Sequence, residues 1–238
     1  MSDDREGTSR PVALVTGASR GIGLAIARDL ARTHVVVAGA RSRDALDELA
    51  REVPDLVPFV CDVGDAESVE DAVAALAADR IDVLVHSAGI ADERPFDAFT
   101  RDDWRRSFEV NVFGVADLTA RLLPALRAAR GTVVFLNSGS GTFSYPDGAV
   151  YSGTKFALRT MADCLREEER EHGVRIVSVH PGFVDTDMAR TLRRTAGREG
   201  PDESYVQPGT IAAGVRVAVD APHAAQFETI TIRPTVRA

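Results

Sequence analysis

Tyr151 and Lys155 stand four residues apart in Tyr151-Ser-Gly-Thr-Lys155. On a helix, that spacing puts the phenol and the ammonium on one face. A free phenol, with a pKa near ~10, is a poor acid–base catalyst at neutral pH. A cation beside it favours the phenolate and lowers that value. Ser138 follows an apolar run and offers a hydroxyl to hold a carbonyl oxygen beside the phenol. The plain alternative is a packed or surface tyrosine. Against it, 27 of the 28 basic residues are arginine, and the one lysine is Lys155. Lysine can titrate and places a compact charge among ribose hydroxyls; arginine does neither well.

A second cluster precedes it. Thr16-Gly17-Ala18-Ser19-Arg20-Gly21-Ile22-Gly23 follows an apolar run and leads into an amphipathic one. The first glycine allows a sharp turn, the next removes a side chain that would block a pyrophosphate, and the last allows close helix–strand packing. Unpaired N–H groups at the following helix N-terminus attract phosphate. No Gly-Lys-Ser/Thr follows, which excludes a P-loop. About 20 residues further on, dinucleotide folds that bind a ribose 2′-hydroxyl carry an acidic residue. This chain has Gly39-Ala40-Arg41-Ser42-Arg43 instead. Arg41 and Arg20 match a 2′-phosphate in charge and geometry. Although both arginines could be ordinary solvated residues, NADP(H) is the preferred cofactor over NAD(H).

The elements that position these groups alternate. Continuous apolar runs predict strands at 12–15, 35–38, 57–61, 81–86, 132–136, 174–180 and 227–232. Helical periodicity predicts helices at 24–31, 43–53, 67–78, 102–129, 151–171 and 209–219. Strands that are apolar throughout belong in a parallel sheet covered on both faces. The expected class is α/β, a doubly wound Rossmann fold with about seven parallel strands. Residues 1–10 read as a loose polar tail and 11–238 as one domain. The irregular stretch 187–207 reads as a lid, with Gly197 and Gly200 permitting movement. Its Arg190, Arg193, Arg194 and Arg198 either recognise an acidic substrate or form a solvated helix face; the second is preferred.

Composition narrows the partners. The 238 residues are 45% hydrophobic and 27% charged, a globular balance, and the net charge of −8 argues against nucleic acid. No apolar run is long enough to span a membrane. The polar N-terminus does not resemble a secretory signal, so a cytoplasmic location is expected. Cys61 and Cys164 lack CxxC spacing and read as reduced thiols, and no metal-ligand spacing is present.

Taken together, the motifs resemble the short-chain dehydrogenase/reductase family from about Pro11 to the C-terminus. The matching features are Thr16-Gly-x-x-x-Gly21-x-Gly23, Asp62, Ala88-Gly89, Asn111, Ser138, Tyr151-x-x-x-Lys155 and Pro181-Gly182. The resemblance implies that Tyr151 is the general acid in carbonyl reduction and the base in alcohol oxidation. Lys155 would lower its pKa and bind the nicotinamide ribose, Ser138 would hold the substrate oxygen, and Asn111 would hold a water linking Lys155 to solvent. Gly17, Ser19, Arg20, Gly21, Ile22, Gly23, Arg41, Asp62, Val63, Ser87, Ala88, Gly89, Pro181, Gly182, Val184 and Thr186 would line the cofactor site, with Asp62 and Val63 at the adenine.

Three departures stand out. His86-Ser87 replaces the family's usual Asn-Asn; Ser87 keeps a shorter hydrogen-bonding group, and His86 reads as a packed strand-end residue. Asn137 stands where serine is common. The last strand lacks the glycine-rich ending of many tetrameric members, which puts the usual tetramer in doubt. Helix pairing would still imply a homo-oligomer through 102–129 and 151–171. Candidate substrate contacts are Ser138, Ser140, Phe143, Tyr145 and Met188. The leading function is an NADP(H)-dependent carbonyl reductase or alcohol dehydrogenase. A nonredox cofactor sensor is disfavoured by the intact Ser138, Tyr151 and Lys155. A sugar-nucleotide epimerase or dehydratase is disfavoured by the lack of room for a substrate domain.

Overall fold

Valine-rich runs become strands because β-branched side chains pack well on a pleated surface, and here all seven strands pair in parallel. The computed structural model describes residues 10–195, 197 and 205–235. In chain order the elements are β1 (Val12–Thr16), α1 (Gly21–Leu30), β2 (Val35–Ala40), α2 (Arg43–Glu52), β3 (Val57–Val60), α3 (Ala66–Leu76), β4 (Val83–His86), α4 (Arg101–Phe108), α5 (Gly114–Ala129), β5 (Thr132–Leu136), α6 (Ala149–Glu168), β6 (Arg175–Pro181), α7 (Asp187–Thr195), α8 (Pro208–Val219) and β7 (Thr229–Ile232). The strand order is β3-β2-β1-β4-β5-β6-β7. The winding reverses between β1 and β4, and open α/β sheets bind ligands in the crevice beyond the strand ends at such a point.

Two apolar layers cover the sheet. One packs Ile26, Leu30, Leu46 and Ile211 on one face; the other packs Val69, Leu118, Leu122, Leu126 and Leu158 on the opposite face. The central strands are buried throughout or nearly so, as continuous apolar runs require. The edges depart from that expectation. β7 alternates exposed and half-buried residues, and Val57 and Val60 of β3 are exposed, because an edge strand has a neighbour on one side only.

Several boundaries also move. α1 begins at Gly21, three residues before the expected start at Leu24, so the glycine turn itself forms the first helical turn. The long helix expected over 102–129 is interrupted by a π turn at Glu109–Phe113 between α4 and α5. Arg10, assigned to the loose tail, is tied down: it donates to Asp55 at 2.9 Å and to the His34 carbonyl at 2.8 Å. Residues 1–9 lie outside the described residues.

The stretch read as an irregular lid opens with the helix α7. There Arg190 pairs with Asp185 and Asp187, Arg193 stacks over Tyr205 at 5.3 Å, and Arg194 donates to Thr191. These partners favour the helix-face reading over recognition of an acidic substrate. Arg198 and Gly200 lie outside the described residues.

Candidate active site

The glycine turn is built by contacts that exclude side chains. Gly17 has φ +66°, and a Cβ there would lie 2.9 Å from the Ala88 backbone; one on Gly23 would lie 2.2 Å from the Gly17 carbonyl oxygen. Thr16 pins this turn to the end of β4: its Oγ1 accepts from the backbone N–H groups of Ser87 and Ala88, each at 3.1 Å. Sequence reading placed Thr16 in the motif without giving it this role. Ser42 and Asp65 cap α2 and α3 with their side chains, whereas no side chain caps α1. The N-terminus of α1 therefore keeps its amide donors and partial positive charge for an anion.

A cleft of ≈ 480 Å³ runs from this turn across the strand ends. Gly17, Ser19, Arg20, Gly21, Ile22, Gly23, Arg41, Asp62, Val63, Ser87, Ala88, Gly89, Tyr151, Lys155, Thr186 and Met188 all line it. Pro181, Gly182 and Val184 do not. Gly182 packs against Arg233 and Pro234 just after β7, and Val184 is buried and bridges to Val206 just before α8, so the chain after β6 is held by these segments. Ser138, Ser140, Phe143 and Tyr145 also fall outside the cleft lining, on the loop beyond β5. Cys61 lines the cleft unforeseen, and burial pushes its thiol up to about 11, keeping it neutral. Both cysteines are free.

At the far end α6 presents Tyr151 and Lys155 together. Lys155 is buried, its Nζ donates to the Leu136 carbonyl at 2.8 Å, and it lies 5.7 Å from the Tyr151 ring centroid. Burial holds its pKa down at about 8. The Tyr151 phenol departs from expectation. Burial raises its pKa, the Ser138 hydroxyl draws it down, and the Glu93 charge raises it again; the net direction is upward. Desolvation of the phenolate thus outweighs any pull from Lys155 in this state.

Ser138 is held from behind. Its N–H donates to Asn137 Oδ1 at 2.9 Å, and its carbonyl accepts from His180 Nδ1 at 2.9 Å. His180 Nε2 in turn meets Ser178 Oγ at 2.9 Å, the pattern of a neutral imidazole. Asn137 therefore serves as a buried brace where a shorter serine is usual, and His180 is a support that the sequence reading missed.

Asn111 sits in the π turn. Its Nδ2 donates to the Ile90 carbonyl at 2.8 Å and to Thr154 Oγ1 at 3.1 Å, while Oδ1 accepts from Ile90 N–H at 2.9 Å. Both amide hydrogens are committed, so the side chain ties the π turn and α6 to the loop after β4. His86 is a packed residue as read from the sequence, 2.8 Å from Thr119 Oγ1 and stacked on Phe135. Tyr145 donates to Glu93 at 2.7 Å. Glu93 is a further residue the sequence reading missed; its one signal is its place in the loop directly after Ala88-Gly89.

Comparison with known proteins agrees with this architecture. The short chain dehydrogenase family model matches residues 11–197. Serine 3-dehydrogenase of Agrobacterium fabrum is 35% identical over 206 residues, covering 84% of this chain and 82% of that protein. An alcohol dehydrogenase from the archaeon Thermococcus sibiricus, solved with 5-hydroxy-NADP, superposes with a TM-score of 0.87 at 30% identity, covering 97% of this chain and 99% of the other. A closed serine dehydrogenase complexed with NADP+ gives 0.84 at 26% identity, with coverage of 93% and 94%. The chain belongs to the short-chain dehydrogenase/reductase family of oxidoreductases, enzymes acting on CH–OH and C=O groups. Among the described residues no cluster could hold a metal ion, and no helix is long and apolar enough to cross a membrane.

Proposed function

We propose that the protein is an NADP(H)-dependent oxidoreductase that interconverts a carbonyl and an alcohol, with Tyr151 as general acid and base. The hydrogen bond of the Ser138 hydroxyl to the Tyr151 phenol, with Lys155 beside that phenol at the end of a cleft that begins in a glycine cradle, carries this reading. The cradle fits a dinucleotide: Gly17 and Gly23 leave no space for side chains, and the first turn of α1 has no side-chain cap. Ser19, Gly21, Ile22 and the two glycines would hold the pyrophosphate. Arg20 and Arg41 would hold the 2′-phosphate, Asp62 and Val63 the adenine, and Thr186 the nicotinamide amide, with Ser87, Ala88 and Gly89 forming the wall between them. The NADP-bound relatives support this cofactor. When bound, it supplies or accepts hydride.

The protein's own residues manage the proton. The raised pKa keeps Tyr151 protonated at neutral pH, which suits an acid that donates to the carbonyl oxygen as negative charge develops there. Ser138 contributes a second donor to that oxygen. Lys155 would bind ribose hydroxyls, and its positive charge would stabilise the phenolate left after proton transfer. In alcohol oxidation Tyr151 must first lose its proton, so that direction gains from higher pH. The exposed Phe113 and Phe156, in the π turn and on α6, support a homo-oligomer formed through these helices.

The test is to follow NADPH and NADH consumption by absorbance against ketones, aldehydes, diketones, keto acids and quinones. Turnover with NADPH is expected. In Tyr151→Phe it should fall by ~10²–10⁴-fold, the usual worth of a general acid, while NADPH affinity stays within a few-fold. A variant with near-normal turnover would remove Tyr151 as the acid. Tight NADPH binding without turnover on any class would point to the sensor reading.

A further inference from the structure

A line of hydroxyls leaves the proposed catalytic centre and ends on a carboxylate. Ser138 Oγ and Ser140 Oγ lie 3.3 Å apart, Ser140 Oγ and Tyr145 OH lie 3.4 Å apart, and Tyr145 OH donates to Glu93 Oε1 at 2.7 Å. The first member would touch the substrate oxygen, and the last stands three hydrogen-bond steps from it, so the line connects the reacting oxygen to a carboxylate.

The end of this line is fixed in place. A Cβ on Gly148 would lie 2.6 Å from the Tyr145 ring, so that ring rests directly on the glycine at the start of α6. The Arg94 N–H donates to the Asp147 carbonyl at 2.9 Å, which stitches the Glu93 loop to the Tyr145 loop a second time. Glu93 is thus presented by two joined loops.

Its charge is uncompensated. Glu93 is only partly exposed, yet among the described residues no cation pairs with it. The neighbouring Arg94 is turned away onto Asp92 and Asp103 and lies over the Phe99 ring at 4.7 Å. Tyr145 satisfies one carboxylate position, while an ionised carboxylate offers about four lone-pair sites. The raised pKa of Tyr151, to which Glu93 contributes, shows that the charge is felt at the phenol.

We propose that Glu93 is a specificity-determining residue of the substrate site: its carboxylate, at the end of the Ser138–Ser140–Tyr145 line, selects carbonyl and alcohol substrates that carry an ammonium group near the reacting carbon and disfavours those that carry a carboxylate there. This rests on the carbonyl–alcohol reading above. A substrate ammonium supplies the missing counter-charge and a charge-assisted hydrogen bond in a partly desolvated place, where such bonds are strongest. A substrate carboxylate meets like charge instead. Among the lid arginines, Arg190 is committed to Asp185 and Asp187, Arg193 lies over Tyr205, and Arg194 donates to Thr191.

The test compares three substrates of one skeleton: an aminoketone, the same ketone with methyl in place of ammonium, and the corresponding keto acid. The readout is the ratio of kcat/KM values within each protein, which cancels general loss of activity or folded fraction. In the native protein the aminoketone is expected to exceed its methyl isostere. In Glu93→Gln that ratio should fall by at least ~10-fold, chiefly through KM, and the keto acid should gain on the methyl ketone. An unchanged ratio would overturn the assignment. If no carbonyl is turned over at all, the redox reading fails separately. Glu93 is then judged by calorimetric titration of the matching amino alcohol into protein holding NADP+. Affinity at least ~10-fold weaker in Glu93→Gln sustains the proposal, and equal affinity, or no binding to either protein, overturns it.

Discussion

Arg41 is 72% exposed at the rim of the cleft, and its guanidinium lies 3.9 Å from the Asp62 carboxylate. An exposed pair of this kind contributes little, roughly 0–1 kcal/mol, so an arriving phosphate can draw Arg41 away at small cost. A hydrogen bond between charged groups contributes about 1.5–3 kcal/mol, which corresponds to ~10–100-fold in affinity. Arg41→Asp should therefore lower the NADPH-to-NADH preference in kcat/KM by that factor, chiefly by weakening NADPH, because an acid at this place repels the 2′-phosphate and suits a ribose hydroxyl. An unchanged ratio would transfer the role to Arg20, the other arginine in the cleft lining. Arg41 could be singled out in the sequence because the discriminating position lies a known distance beyond the glycine turn, and Arg20 because it stands in that turn. Glu93 could not, because its link to Ser138 passes through Ser140 and Tyr145 and exists only once the loops after β4 and β5 meet. The direction of the Tyr151 shift was hidden for a similar reason. Spacing on a helix reveals a neighbouring cation, but the depth of burial belongs to the folded state.

At the level of elements, glycines divide by what surrounds them. A Cβ at Gly23 would collide with the Gly17 carbonyl oxygen at 2.2 Å, so Gly23→Ala must push α1 away from the turn that β1 feeds. NADPH affinity measured by fluorescence titration should drop by at least ~10-fold, since the phosphate cradle depends on that close approach. Gly209, in the first turn of α8, meets nothing within 4 Å. There Gly209→Ala should stabilise the fold by up to about 1 kcal/mol through reduced unfolded-state freedom, read as a higher urea midpoint at unchanged slope. A loss of stability at Gly209, or unaltered NADPH binding at Gly23, would contradict these packing assignments. The sheet and its strand sequence were readable because doubly covered parallel strands are apolar without interruption. The π turn at Glu109–Phe113 was not, since one extra backbone residue barely disturbs the apolar pattern of a long helix. Its reason is visible only in three dimensions. Gly114, just after it, is pressed so close to the Val63 carbonyl that a Cβ would lie 1.6 Å from that oxygen, while Asn111 within it reaches both Ile90 and Thr154.

Over the whole molecule, the buried histidines set how the fold meets acid. Burial lowers the pKa of His34, His86 and His180 below 6.5, and that of His86 to about 3. Once unfolded, each of these rings takes up a proton as pH falls through about 6.5. In the native state they resist, His86 down to about pH 3. The unfolded chain thus binds more protons across that window, so stability is fully present above about pH 6.5 and is lost progressively as pH drops toward 3. For His86 alone the loss at the acid end is on the order of 5 kcal/mol, a large share of the ~5–15 kcal/mol that holds a typical domain folded. Lys155 acts at the other end. Its native pKa of about 8 lies below the ordinary 10.5, so keeping it charged at neutral pH costs stability that returns as pH rises through that interval. Chemical denaturation between pH 8 and pH 4.5 should show ΔG nearly level down to about pH 7 and then falling as the pH drops further. In His86→Asn, which retains a polar group toward Thr119 but cannot be protonated, the acid slope should become shallower, even if the variant starts from lower stability at pH 7. An identical slope in both proteins would mean that the ring at the end of β4 is not what makes the fold acid-sensitive.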